Sequence, residues 1–443
     1  MPNQTSKTRH VNKKILDIAL PNIISNITIP LLGIVDLALM GHLGEVDFIG
    51  GIALGGTIFN FLYWGFAFLR MGTSGITAQA YGARKLNESI LSLGRALLVA
   101  AAGSILILLL QKPIALLSFN YIDSEASVET IARSYYNIRI WAAPATISLY
   151  ALTGWFIGMQ NSKIPMTIAI ICNIINISLS AFFVYGLNLD ARGVALGTVI
   201  AQYCGLILAS FFIWRYYRRL FKYWTNRGLL KIAELKHFVL INKDIFIRTL
   251  CIIFVFTFFT TESASSNKTI LAVNSLLLQF LFIFSYLMDG FAYAAEALVG
   301  RFVGAQNRKN LLTTIRYLFI WGIGISLGFT LIYALAGNSI LSMLTNNSET
   351  IHAASPYLKW LILLPILSFA SFLYDGIYIG ATASVYMRKT MMAATLLVFI
   401  PVYFGLKDIL LNHGLWIAML AFMLSRGLFQ AFYFKKAILI KFK

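Results

Sequence analysis

The sequence predicts an all-α membrane protein of twelve transmembrane helices arranged as two six-helix lobes. Three observations carry this expectation. Apolar runs near the roughly 20 residues a spanning helix needs recur twelve times along the chain. Of the 443 residues, 59% are hydrophobic and only 12% charged, about half the charged fraction of an ordinary soluble domain. Landmarks of the first half return in the second after offsets of 219 to 222 residues. The runs are long and continuous, which favours helices over a barrel, whose strands alternate over about 10 residues.

In chain order the predicted spans are 15–41, 48–72, 92–111, 131–158, 164–187, 193–214, 245–262, 270–298, 313–336, 354–380, 390–410 and 413–434. The first is unusual, because it holds Pro21, Asn22, Asn26, Pro30 and a carboxylate, Asp36, within one apolar run. An ionisable group at such a depth is costly and marks a pathway for ions or substrate rather than a lipid anchor. The two prolines predict a bent helix.

Lys and Arg set the expected orientation. The N-terminus carries Lys7, Arg9, Lys13 and Lys14, and every second connection after it is basic: Arg84, Lys85 and Arg95; Lys163; nine residues from Arg215 to Arg248; Arg301, Arg308, Lys309 and Arg316; Arg388 and Lys389. The tail adds Lys435, Lys436, Lys441 and Lys443, whereas the alternate connections hold little beyond Lys112, Arg192, Lys268 and Lys407. This bias predicts that both termini are cytoplasmic. It also accounts for the net charge of +19, so no nucleic-acid partner is expected. The basic terminal segment precedes an apolar run too long for a signal peptide and is expected to stay uncleaved. Cys172, Cys204 and Cys251 lie in apolar stretches and form no C-x-x-C pair, which argues against a disulfide framework or thiolate metal site.

The halves are delimited as 1–215 and 244–443, joined by a basic linker at 216–243 whose mix of aromatic and basic residues suits an anionic membrane surface. Gly82 and Ala83 align with Gly304 and Ala305. Trp141, Pro144 and the G-x-x-x-G of Gly154 and Gly158 return as Trp360, Pro365 and that of Gly376 and Gly380. Six helices followed by six with the same entry side make parallel repeats, related by a pseudo-two-fold axis along the membrane normal. The glycine pairs are read first as close-packing positions, and second as a seam on which helices rock.

Asp36, Asn176 with Ser180, and Thr198 fall at similar expected depth on the first, fifth and sixth spans, with Asn173 one turn from Asn176. One carboxylate among neutral oxygens takes a proton or a hard monovalent cation, and competition between the two is a physical basis for antiport. The plainer reading is that Asp36 only bonds the bent backbone near Pro30. Arg70, Asp289, Glu296 and Asp375 form a second tier for substrate contact or gating, with a structural ion-pair network as the alternative. The pattern G-x-x-x-x-G-K-[ST] is absent, so no motor of that class is present. All five histidines lie in tails or connections, which disfavours a membrane-embedded enzyme with a buried histidine base.

The chain resembles the multidrug and toxic compound extrusion (MATE) family, in its DinF-like branch. The residues that carry the resemblance are the first span from Pro21 to Asp36 ending in GHLG, FLRMGTSGITAQAYGA from Phe68, ICNIINISLS from Ile171 and ARGVALGTVIAQ from Ala191. NKDIFIRTL from Asn242, MDGFAYAAEALVG from Met288 and YDGIYIG from Tyr374 complete them. The resemblance implies a V-shaped pair of lobes that exports organic cations or other amphipathic compounds in exchange for protons or sodium. It matches Asp36, Asn176 and Thr198 to the family's coupling residues and Pro21 to its hinge proline. Ser180 departs from the pattern, standing where relatives commonly have a second aspartate, and this tilts the expectation toward protons. No cofactor or metal is expected beyond the driving gradient, with sodium at Asp36 as the variant. The expected partners are a small-molecule substrate and membrane lipid, with the chain as a monomer. A lipid-linked oligosaccharide flippase of the same superfamily is the rival, and it would call for a more basic cavity.

Overall fold

The computed structural model describes residues 4–41, 46–121 and 125–442, apart from the side chains of residues 4–10, 29, 31, 32, 36, 37, 40, 41, 46 and 121. Every regular element among the described residues is helical. The first half contains α1 (Gln4–Gly41), α2 (Val46–Trp64), α3 (Ala67–Gly82), α4 (Leu86–Leu109), α5 (Gln111–Tyr121), α6 (Ala126–Arg139), α7 (Ala143–Gly158), α8 (Lys163–Ala181), α9 (Asp190–Tyr217) and the single turn α10 (Asn226–Leu229). The second contains α11 (Ile232–Ser266), α12 (Lys268–Gly304), α13 (Arg308–Leu344), α14 (Ser348–Ala354), α15 (Leu358–Gly380), α16 (Ser384–Ala393), α17 (Ile400–Leu410) and α18 (Asn412–Ala437). Eleven segments among the described residues are long and apolar enough to cross a membrane, and the remaining expected span, 245–262, lies inside the 35-residue α11.

Packing divides the chain into two compact units, residues 24–239 and residues 1–23 with 240–443. The boundaries drawn at 1–215, 216–243 and 244–443 shift for two local reasons. The start of α1 belongs with α12: Ile15, Ile18, Ala19 and Ile23 are buried, and a Cβ on Gly290 would lie 2.3 Å from Ile23 and 2.9 Å from the Ala19 carbonyl. Most of the basic linker belongs to the first half. Trp224 and Leu229 close over Gly94 of α4, and Arg95 donates to the Gly228 carbonyl at 2.9 Å while pairing with Glu88 at 3.0 Å.

Helix α1 runs unbroken through Pro21 and Pro30. Proline removes one backbone donor from the ladder, and short polar side chains of α1 bond back to carbonyls near these breaks. Asn22 Nδ2 donates to the Ile18 carbonyl at 2.8 Å and Thr28 Oγ1 to that of Ser25 at 2.7 Å. The packing boundary at Ile23 and Ile24 falls two residues beyond Pro21.

The unit of residues 24–239 is centred on rings. Phe59 stacks on Tyr136 at 5.3 Å and meets Tyr135 edge-on at 6.3 Å, and the Arg139 guanidinium lies 5.2 Å from the Phe59 ring. In the other unit asparagines start three consecutive helices. Asn267, Asn307 and Asn347 accept from the backbone N–H of Ile270, Asn310 and Thr350 at 2.7, 3.0 and 3.0 Å, each filling one of the orphan donors of a helix start.

The repeat is visible in contacts as well as in letters. A Cβ on Gly154 of α7 would lie 2.2 Å from the Arg70 carbonyl oxygen of α3, and one on Gly376 of α15 would lie 2.2 Å from that of Ala292 in α12. Gly158 faces the Ser74 carbonyl at 2.7 Å, and Gly380 faces that of Glu296 at 2.5 Å. Both members of each pair are displaced by 222 residues, as are the left-handed helix ends Arg84 and Gln306 (φ 58° and 51°) and Gln160 and Thr382 (φ 67° and 48°). Small residues thus bring these backbones into direct contact, which supports the packing reading of both glycine motifs.

Candidate ion-coupling site

Helices α8 and α9 lie against each other because Gly197 presents no side chain to its neighbour: a Cβ there would fall 2.5 Å from Ser180 Oγ and 2.8 Å from Ser180 N. This approach makes the polar cluster. Asn176 Nδ2 donates to Thr198 Oγ1 at 2.9 Å, and Thr198 Oγ1 donates in turn to the Val194 carbonyl at 2.9 Å. Asn176, Ser180 and Thr198 are 2%, 0% and 4% exposed. Two oxygens in this buried cluster, Asn176 Oδ1 and Ser180 Oγ, have no hydrogen-bond partner among the described residues. Buried polar atoms are nearly always paired, and each one left alone costs about 1–3 kcal/mol. Two oxygens able to accept, an amide and a hydroxyl one turn apart on α8, therefore mark a place suited to a donor or a cation.

The side chain of Asp36 lies outside the described residues, but its backbone is placed within α1. Two contacts bracket it. Asn173 Nδ2 donates to the Thr28 carbonyl at 3.2 Å, and the Tyr185 hydroxyl, in the π-helical turn after α8, donates to the Leu39 carbonyl at 3.0 Å. The two segments consequently run parallel, and this register sets the Asp36 backbone level with the turn carrying Ser180 and Phe182. Of the sequence-predicted set, Asn176 and Thr198 bond directly and Ser180 adjoins them. Asn173 instead ties α8 to α1.

Arg70 is buried in the unit of residues 24–239, and Asp289, Glu296 and Asp375 belong to the other unit. Asp375 sits in a closed network. Arg426 donates to its Oδ2 at 2.6 Å, Arg248 donates to the same oxygen, and Gln430 Nε2 donates to Oδ1 at 2.8 Å. All four residues are at most 9% exposed, so the geometry favours the ion-pair reading of Asp375 over an open substrate contact. Ser285 Oγ donates to Asp289 Oδ2 at 3.4 Å, and Glu296 is 1% exposed on α12.

Sequence reasoning overlooked Arg426 and Gln430. Their signal was present: a cation and an amide four apart in an apolar span place both on one helix face. A second overlooked cluster joins three helices. Asn274 donates to Ser263 and to Asn412 Oδ1, both at 2.7 Å, and Trp416 Nε1 donates to Asn274 Oδ1 at 2.9 Å.

Many apolar helices in repeated halves, with polar clusters buried inside them, define a polytopic membrane transporter. The MatE family model matches residues 21–182 and 245–404, and the chain belongs to that family, the multidrug and toxic compound extrusion transporters; it is a membrane transporter and not an enzyme. It is 36% identical over 425 residues to the DNA damage-inducible protein F of Escherichia coli (strain K12), covering 94% of this chain and 90% of that one, which places it in the DinF-like branch. It is 24% identical to a probable multidrug resistance protein NorM of Bacillus cereus (strain ATCC 10987 / NRS 248), over 82% of this chain and 81% of the relative. The Vibrio cholerae MATE transporter VcmN in its bent form superposes with a TM-score of 0.84 at 18% identity, covering 98% of this chain and 99% of that one. That likeness supports the fold alone.

Proposed function

We propose that the protein is an efflux antiporter of a prokaryotic plasma membrane, with both termini cytoplasmic, that exports organic cations or amphipathic drugs in exchange for protons. The observation that carries this reading is the pair of buried oxygens without a hydrogen-bond partner among the described residues, Asn176 Oδ1 and Ser180 Oγ, level with the backbone of a helix that bears a carboxylate in an apolar run. A protonated Asp36 supplies a donor to such a set, and an ionised one calls for a cation. Occupancy of the carboxylate thereby alters the polar balance around α1, and Pro21, beside the packing boundary in that helix, is the position where α1 bends. The substitution of serine for a second carboxylate at position 180 leaves less negative charge to strip sodium of its water, which favours the proton. The likeness to the NorM and DinF proteins agrees with efflux of small molecules.

Exchange of a fluorescent organic cation by proteoliposomes under separately imposed pH and sodium gradients tests the reading. The pH gradient alone is expected to drive exchange by the wild type, the sodium gradient alone is not, and Asp36→Asn is expected to fall to the level of undriven vesicles. Asp36→Asn exchanging as well as wild type against the gradient overturns the assignment. Ser180→Asp is expected to confer a response to sodium, since it restores a hard anionic ligand beside Thr198. Unchanged ion dependence in a folded Ser180→Asp protein removes position 180 from the site.

A further inference from the structure

A cavity of about 790 Å³ lies at the C-terminal end of α18, lined by Arg308, Phe432, Tyr433, Lys435, Lys436, Leu439 and Ile440. We propose that it holds the headgroup of an anionic phospholipid. Three cations converge on it and no carboxylate lines it, and none of the three has an acidic partner among the described residues. Like charges gathered in one concavity repel, and a phosphodiester relieves that repulsion. Lys435 and Lys436 in the last turn of α18 suit the negative end of the helix, but that preference does not explain why Arg308, from the start of a different helix, faces them.

The rest of the lining is apolar. Phe432 is 80% and Ile440 72% exposed, and Leu428, one turn earlier on α18, is 58% exposed. A free phosphate would leave these surfaces uncovered, whereas a lipid meets the cations with its headgroup and runs its chains along the exposed side of α18. The volume falls within the range of small-ligand sites, roughly 300–1,000 Å³. It is room for a headgroup and glycerol, while the acyl chains leave the cavity. The far wall is held in place. Ala437 and Ile438 are 2% and 0% exposed, and Lys441 Nζ donates to the Ala381 carbonyl, so the turn carrying Leu439 and Ile440 is anchored to the end of α15. Basic pockets of this kind beside cytoplasmic helix ends suit anionic headgroups. The leaflet rests on the orientation proposed above, whereas lipid selectivity does not.

The test is native mass spectrometry of the purified full chain in neutral detergent with dioleoyl phosphatidylglycerol and dioleoyl phosphatidylcholine. Each cation near an anionic surface contributes roughly a fivefold gain in binding. The wild type is therefore expected to retain phosphatidylglycerol preferentially, single glutamine variants at Arg308, Lys435 or Lys436 to lose several-fold, and the triple variant to lose the preference. Lys112→Gln with Lys268→Gln, at exposed positions in the alternate connections, is expected to leave it intact. An undiminished preference in the triple variant overturns the proposal, as does an equal loss in this control. Displacement of phosphatidylglycerol from the wild type by millimolar inorganic phosphate also overturns it, in favour of a free-anion site, and that measurement depends on no variant folding.

Discussion

Asp375→Asn is expected to destabilise the protein by about 3–5 kcal/mol, the usual cost of removing one partner from a buried ion pair. The reason is a charge count at one point. Arg248 and Arg426 both donate to Asp375 Oδ2, and the asparagine would leave two buried guanidinium groups facing each other with no anion between them. Among the described residues, Nε of both arginines has no hydrogen-bond partner, and the further contact of Arg426 is to a weak acceptor, Met423 Sδ at 3.2 Å, so little in the protein would take over the role of the carboxylate. Thermal unfolding in detergent micelles reads the loss. Arg248→Met combined with Asp375→Asn is expected to recover part of it, because one of the two stranded charges is then gone. A folded Asp375→Asn protein of wild-type stability that no longer transports would instead make Asp375 a substrate or gating group.

Gly154→Ala and Gly376→Ala are expected to be as damaging, although each adds a single methyl group. At both positions the new carbon would sit 2.2 Å from a carbonyl oxygen of the facing helix, and backbone cannot rotate away as a side chain can. Helix pairs α3 with α7 and α12 with α15 would have to separate. Overpacking of a close-fitted interior costs about 1–3 kcal/mol even where side chains can yield. The comparison that isolates the mechanism is Gly324→Ala and Gly328→Ala on α13, where a Cβ meets nothing within 4 Å. Those are expected to be neutral, or stabilising by up to about 1 kcal/mol through helix propensity. Equal unfolding temperatures for the two groups would refute the contact argument.

The spans, their order and the repeat were legible in the sequence because bilayer thickness imposes a length on apolar runs, and because contacts between small residues leave glycines at fixed spacing. Joins were less legible. The residues around Gly65 read as part of one continuous span, whereas the chain breaks there between α2 and α3, a local backbone event with no effect on hydrophobicity. The linker read as a tether suited to an anionic membrane surface, yet Trp224 and Leu229 dock part of it on α4. Within the candidate site, the pairing of Asn176 with Thr198 followed from depth counted along two spans. The part played by Asn173 did not, since depth says nothing about which way round a helix faces. Arg426 and Gln430 escaped notice because they lie far in sequence from Asp375, and only folding brings α18 to α15.

The two halves share a scaffold but not its polar contents. Moving by 222 residues turns Thr198 into Leu420, Asn176 into Val398 and Ser180 into Val402; in the other direction Asp375, Arg426 and Gln430 become Thr153, Cys204 and Leu208. The glycine seams are common to both halves, while each polar cluster belongs to one of them. A tandem fusion of either half with itself would inherit every glycine seam, yet it would carry one cluster twice and lack the other.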